Sequence, residues 1–303
     1  MLDSEWHHRF NARVPLEKLT IVGAGLLGGS LGLAARERGL AKRVTALVRR
    51  PESVSECQAV GVADEVTQDE AEAITGADLV ILCTPVASMA GLAKRWLAHL
   101  KKGAIVTDVG STKRQLVDEL TPLIAGARAH FVGSHPMAGS AQTGPSAATA
   151  ALFDGAVCVV TPTDTTDATA LQSVNEFWEA LGSTTVAMSA DEHDQLVARC
   201  SHLPHLLSSA LAKRVLDPQH GELQKQLCAT GFRDMSRLAS GSPVMWRDIV
   251  RSNREAILAV IDEFADELEQ LRARVSEDNG ENIESWLNEA KLARDEWRAS
   301  GLD

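Results

Sequence analysis

A chain of 303 residues is long enough for two domains with cores of their own. With 45% hydrophobic and 23% charged residues it has an ordinary globular composition, no apolar run approaches the ~20 residues needed to cross a bilayer, and a net charge of −11 argues against a nucleic-acid or anionic-membrane partner. The five scattered cysteines form no close pair, and an odd number builds no complete disulfide framework, so buried thiols in a reducing cytoplasm are expected. The polar, mixed-charge start, Met1–Phe10, predicts no signal or transit peptide. Ile261–Asp303 holds thirteen acids against five bases, a net −8 of the total −11, which reads as a solvated helical face and tail.

In chain order, Leu19–Val22 is an apolar, β-branched run that predicts a buried strand. Gly23, Gly25 and Gly28 follow as G-x-G-x-x-G, with Leu26 and Leu27 between them, and Leu27, Leu31, Ala34 and Ala35 then recur at helical spacing. Strand, glycine turn and helix in that order form the context of a dinucleotide fingerprint. Gly23 permits the tight turn, Gly25 lets the backbone approach a pyrophosphate, and Gly28 lets the helix pack on the strand. The helix N-terminus supplies free N–H groups to the phosphates. The alternative is an ordinary strand-to-helix turn.

Arg43–Val48 reads as the second strand. An acid about 20 residues past the glycines would bind the ribose 2′-hydroxyl of NAD; that place falls on Val48, and Arg49 and Arg50 follow at once. Two arginines there suit a 2′-phosphate, so NADP is favoured with NAD possible; the alternative is two solvated side chains. Further strands are expected at Ala77–Cys83, closed by Thr84-Pro85 at the cofactor site, at Ala104–Asp108, ahead of Val109-Gly110-Ser111-Thr112-Lys113, and at Phe131–Ser134, leading into His135. Ala156–Val160 and Thr184–Ala187 complete the strands, with a helix over Asp167–Leu181. Alternating strands and helices imply a mostly parallel, doubly covered sheet, and strand ends at 22, 83, 108 and 134 should bring four turns to one crevice.

The character changes near Ser189, where Ser189-Ala190-Asp191-Glu192 forms a capping box and the rest reads as helical. Trp246, Ile249, Val250, Asn253, Ile257, Val260, Ile261, Phe264, Leu268, Leu271 and Val275 trace a long stripe that needs a partner surface. The expected fold is therefore α/β: a Rossmann-type parallel-sheet domain over residues 1–188, then an all-helical dimerisation domain over 189–303.

Taken singly, the polar candidates are ambiguous. His135 before Pro136 reads equally as a turn residue, His202 and His205 as core residues or metal ligands, and Arg233, Asp234 and Arg237 as a surface ion-pair network. Taken together, the glycine fingerprint, DVGSTK, GSHPMAGS, SHLPH and TGFRDMSRLASGSP followed by a tryptophan closely resemble the prephenate and arogenate dehydrogenases of tyrosine biosynthesis, over roughly Leu19 to Leu271. The resemblance implies a Rossmann domain, a helical dimerising domain, a homodimer, and NAD(P)-linked oxidative decarboxylation of prephenate or arogenate. It makes His135 the base for the ring hydroxyl and Ser111 the residue that orients that hydroxyl, with a nicotinamide contact implied as well. It makes His205, with His202 beside it, substrate-binding, Arg237 the anchor of a substrate carboxylate, Asp234 a residue that holds that arginine or its neighbours, and Trp246 a pocket aromatic. No metal is implied. An imidazole of near-neutral pKa suits the base, and a bidentate guanidinium the anchor.

Two departures accompany it. Many prephenate-using members carry an acid in a pattern like HPMAGSE, where this chain has Ala141-Gln142 after Ser140, as in some arogenate-using, NADP-dependent relatives. With the chain ending at Asp303, neither an appended ACT regulatory domain nor a fused mutase segment is expected. Competing readings are a β-hydroxyacid-type dehydrogenase, which depends on a catalytic lysine where this half offers only Lys213, Lys225 and Lys291 in unsuitable contexts, and a dinucleotide-sensing regulator without chemistry.

Overall fold

Strand β1 (Leu19–Val22), buried along its length, lies at the middle of the molecule's main sheet. The structure, a computed structural model, describes residues 15–140 and 142–301; the amino-terminal stretch Met1–Phe10 and Ala141 lie outside the described residues. From β1 the chain runs through α1 (Leu26–Glu37), β2 (Val44–Leu47), α2 (Pro51–Val60), β3 (Glu65–Thr67), α3 (Glu70–Ile74), β4 (Leu79–Leu82), α4 (Val86–Trp96), β5 (Ile105–Asp108), α5 (Arg114–Gly126) and β6 (His130–Phe131). All six strands are parallel, in the order β3-β2-β1-β4-β5-β6. Both faces are covered. Leu79 and Ile81 of β4 pack into one apolar cluster, with Leu31 of α1 and Cys57 of α2, while Val80 and Leu82 pack into the other, with Met89 and Trp96 of α4 and Leu120 of α5. That period-2 division is why these strands read as unbroken apolar runs. The chain reverses direction across the sheet between β1 and β4, and a crevice outside their carboxyl ends is where such sheets bind ligands.

The expected fourth turn after residue 134 is corrected by the structure. The parallel sheet ends with β6 at Phe131, and Gly133–Pro136 is a strand, β7, of a second sheet. There β7 pairs antiparallel with β8 (Val157–Thr161), and after α6 (Ala168–Ala180), β9 (Thr184–Ala187) pairs parallel with β8. His135 is therefore a strand residue opposite Val159, not a turn residue. A proline is tolerated in β7 because β7 is an edge strand.

Five helices follow in the same compact unit, which runs to Arg254: α7 (Ala190–Val197), α8 (Leu203–Val215), α9 (Gly221–Gln226), α10 (Thr230–Ser236) and α11 (Pro243–Ser252). Ser189 caps α7, its hydroxyl accepting the Glu192 N–H at 3.1 Å, as the capping box requires. A π-helical turn, 198–202, joins α7 to α8. The stripe read as continuous from Trp246 to Val275 is broken at Asn253, between α11 and α12 (Arg254–Ser276). A second unit, from Glu255, holds the rest of α12 and α13 (Gly280–Ala299), where Trp286 Nε1 donates to Glu267 at 2.9 Å. On α12, Ile257 and Val260 are buried while Ile261, Leu268 and Val275 are exposed. Among the described residues no helix is long and apolar enough to cross a membrane.

Candidate active site

The glycine turn has the geometry of a phosphate cradle. Gly23 sits at φ +96°, which a side chain rarely adopts, and a Cβ there would stand 2.9 Å from Thr84 Cγ2. A Cβ on Gly28 would overlap the Gly23 carbonyl oxygen and lie 3.0 Å from Ile21 Cγ2. Gly25, by contrast, faces open space, with nothing within 4 Å of a built Cβ. Gly25 is also the N-cap of α1, without a side-chain cap or an acid in the first turn, so the helix terminus is left for an anion. Leu26 and Leu27 are its half-buried first residues. Val48 is buried behind β2, whereas Arg49 and Arg50 are exposed beyond the strand's carboxyl end. The Gln68 side chain donates to the Arg49 carbonyl at 2.8 Å, fixing the backbone there. Thr84 and Pro85 follow β4, with Pro85 as the N-cap of α4. These residues fit a pyridine dinucleotide: space and free N–H groups for the pyrophosphate, and two cations beyond the neighbouring strand.

The catalytic side is built on β7. Ser134 is buried and tied down from several directions. Its N–H donates to Asp108 Oδ1 at 3.0 Å, its hydroxyl to the Asp108 carbonyl at 2.6 Å, and Trp178 Nε1 donates to its oxygen at 3.1 Å. The Lys113 ammonium, fully buried, pairs with the equally buried Asp108 carboxylate and donates to the Ser134 carbonyl at 2.8 Å. His135 is thereby held in place, and its Nδ1 lies 2.8 Å from His193 Nε2. His193, fully buried on α7, places Nδ1 2.7 Å from Asp194 Oδ1. The same Asp194 carboxylate accepts the Lys113 and Arg114 N–H groups, at 2.7 and 3.0 Å, and so caps α5. Ser111 is half-buried in the turn between β5 and α5.

The helical segment adds the other histidines. His205 stacks on Trp246 with ring centroids 3.5 Å apart at 10°, and His202 meets the same indole edge-on at 5.9 Å. Gly241 makes room for this stack, since a Cβ would stand 2.8 Å from both His205 Cε1 and Trp246 Nε1. Buried Asn253 donates to the Asp194 carbonyl at 2.7 Å and to His202 Nδ1 at 3.2 Å. Among the described residues no group of three or more His, Cys, Asp or Glu is placed to hold a metal ion. Arg237 and Asp234 lie apart from this network, both exposed, and no ion pair joins them among the described residues.

The electrostatics also amend one expectation. The His135 imidazole is held well below the usual histidine range, first by burial and then by His193, Lys113 and His202, instead of sitting near neutrality. His202 is pushed down to about 4 by burial, which the Asp194 carboxylate opposes and His193 and His205 reinforce. Burial lowers His205 as well. The site presents neutral imidazoles, suited to accept and donate hydrogen bonds.

Comparison with known proteins decides the family. The model of the prephenate dehydrogenase nucleotide-binding domain matches residues 31–187, and that of the prephenate dehydrogenase dimerization domain matches 189–289. The chain belongs to the prephenate dehydrogenase family. Prephenate dehydrogenase of Bacillus subtilis (strain 168) is 34% identical over 92% of this chain and 76% of its own length. Cyclohexadienyl dehydrogenase of Zymomonas mobilis is 34% identical over 91% of this chain and 94% of its own. The crystal structure of prephenate dehydrogenase from A. aeolicus, a complex with hydroxyphenyl propionate and NAD+, superposes with a TM-score of 0.88 at 31% identity, over 94% of this chain and 99% of that one.

In this prephenate dehydrogenase family member the sequence reading missed His193, Asp194, Lys113, Asp108 and Asn253 as parts of the site. Lys113 and Asp108 lay inside a quoted motif, and Asn253 had been placed on an apolar stripe, where a polar residue is itself a signal. His193 and Asp194 follow the capping box without any local mark of function.

Proposed function

We propose that this enzyme uses the residues above for oxidative decarboxylation of a cyclohexadienol, prephenate or arogenate, with NADP+ as the preferred acceptor. The observation that carries the reading is His135: fixed on β7 by the Ser134 and Lys113 contacts, with no partner for Nε2 among the described residues and the ring's proton affinity lowered by burial. Such an imidazole accepts the ring hydroxyl's hydrogen bond and then its proton. Ser111, in the turn beyond β5, orients the same hydroxyl. His205 and Trp246 form a flat wall on which a ring can lie, with His202 donating from Nε2. Arg237, exposed and with no paired acid among the described residues, is available for a substrate carboxylate, as Asp234 is for a neighbouring polar group. A bound nicotinamide would supply the acceptor for the hydride of the ring carbon that carries the hydroxyl.

Gly23, Gly25, Leu26, Leu27, Gly28, Thr84 and Pro85 hold the dinucleotide, and Arg49 and Arg50 favour a 2′-phosphate; the NAD+ complex of the A. aeolicus relative keeps NAD+ in view as a second acceptor. The functional division falls at 188/189, where the strands end, and the match to a dimerization-domain model supports a homodimer. Free thiols at all five cysteines suit a cytoplasmic location.

Two variants separate the roles. His135→Asn is expected to lower kcat by roughly 10²–10⁴-fold with little change in KM. Arg237→Met is expected to cost about 2–5 kcal/mol, seen mainly in KM, because the carboxylate is held in ground and transition state alike. A folded His135→Asn enzyme with normal kcat would refute the assignment.

A further inference from the structure

We propose that His193 and Asp194 form, with His135, a proton relay that stores the substrate's hydroxyl proton during hydride transfer and returns it to the same oxygen when CO2 leaves. The proposal rests on the reading of His135 as the base.

Donor and acceptor counting fixes every ring in the chain. The Asp194 carboxylate accepts two backbone N–H groups, from Lys113 and Arg114, and its contact with His193 Nδ1 at 2.7 Å needs a third donor. His193 therefore carries its proton on Nδ1, and a neutral His193 leaves Nε2 as an acceptor. The 2.8 Å contact between that nitrogen and His135 Nδ1 then requires the proton on His135 Nδ1. His135 Nε2 is left as a lone pair, which a base for a hydroxyl needs. A carboxylate two rings away thus sets the tautomer of the base.

Charge gives the relay its second task. Lys113, His193 and His202 all disfavour an imidazolium at His135, while the nearest carboxylates are engaged elsewhere, Asp108 with Lys113 and Asp194 with His193. Passing the Nδ1 proton of His135 to His193 Nε2 moves the positive charge beside Asp194, where it is compensated.

The atoms balance without an outlet. As hydride leaves the ring carbon, the O–H bond breaks, its electron pair forms the C=O bond, and the proton joins His135 Nε2 while the Nδ1 proton shifts to His193. The ring–carboxylate bond then breaks, CO2 leaves, and its electron pair completes the aromatic ring and drives the C=O pair back onto oxygen. That phenolate recovers the proton from His135 Nε2 as the shift reverses. For a carboxylate substrate the sum is one hydride transferred, one CO2 lost and no proton released. A buried relay ending on a fully buried His193 matches a proton that is parked and not exported.

The test begins with the unmodified full-length protein labelled with 15N-histidine. Long-range 1H–15N spectra are expected to show His135 and His193 protonated at Nδ1 and His202 at Nε2, since Asn253 donates to His202 Nδ1. A proton on His135 Nε2 would overturn the proposal. Asp194→Asn presents an amide donor to His193 and should invert both rings; the single-turnover rate of NAD(P)H formation should fall roughly 10²–10⁴-fold with substrate KM unchanged. His193→Asn should slow the same step at least ~10-fold and turn a curved proton inventory, from two protons in flight, into a straight line. A His193→Asn enzyme that keeps the wild-type rate while His135→Asn loses it removes the relay and leaves the base in place. A His135→Asn enzyme that keeps the rate removes the base, and the relay with it.

Discussion

Two alanine substitutions in the glycine fingerprint should fail in opposite ways. At Gly25 a Cβ meets nothing within 4 Å, and φ is −79°, so the folded chain can accept Gly25→Ala; the loss of backbone freedom in the unfolded chain can even stabilise it by about 0.4–1 kcal/mol. The space it enters is the one assigned to the pyrophosphate. A methyl group there pushes the phosphates off the N–H groups of α1, and each lost charge-assisted hydrogen bond costs about 1.5–3 kcal/mol, or roughly 10- to 150-fold in Kd. At Gly28 the same methyl overlaps a backbone carbonyl, so Gly28→Ala should cost at least about 1–3 kcal/mol and lower Tm by roughly 2–4 °C per kcal/mol. Calorimetric titration with NADP+ and NAD+, paired with thermal denaturation, reads both effects. A Gly25→Ala protein with wild-type Tm and wild-type cofactor affinity would show that the phosphates do not occupy this turn.

Other expectations follow from the same geometry. Arg49→Ala should weaken NADP+ more than NAD+, since only NADP+ has a 2′-phosphate to lose; equal losses in kcat/KM would remove the basis for NADP+ preference. His202, buried and held near 4 against an ordinary 6.5, binds its proton less readily folded than unfolded, so its contribution is present above about 6.5 and lost as pH falls through about 4. That shift is worth about 3 kcal/mol, with His135 adding in the same direction; urea denaturation from pH 7 to 4 should show the loss, and His202→Asn should flatten it. A charged residue at Ile261, exposed on α12, should disrupt the proposed dimer, and light scattering that finds an active wild-type monomer at micromolar concentration would contradict that interface.

How far the sequence could be read depended on how local each constraint is. The glycine turn was legible because three positions within six residues meet backbone, side chain or open space in one strand–helix unit. β3 was not read: Glu65–Thr67 is three residues long, polar and only partly covered, so no periodicity marks it. The second half of β7, His135-Pro136, reads as a turn after a strand ending at Ser134 because a proline punctuates loops more often than strands, and only the pairing with β8 shows that this proline sits on an edge. His135 stood out through its motif, but its partner His193 is 58 residues away and looks like any polar residue in the first turns of a helix. The low proton affinity of His135 could not be foreseen either, because it comes from burial and from three cationic or imidazole neighbours that the fold assembles.

The central claim is the reaction, and product analysis tests it most directly. Purified protein should be mixed with prephenate and separately with arogenate, each with NADP+ and with NAD+, following absorbance at 340 nm and identifying the aromatic product and CO2. The account expects NADPH formed in equal amount with CO2 and with 4-hydroxyphenylpyruvate or tyrosine, faster than with NAD+. Reduction of cofactor without loss of CO2, or no turnover of either cyclohexadienol by folded protein, would contradict it.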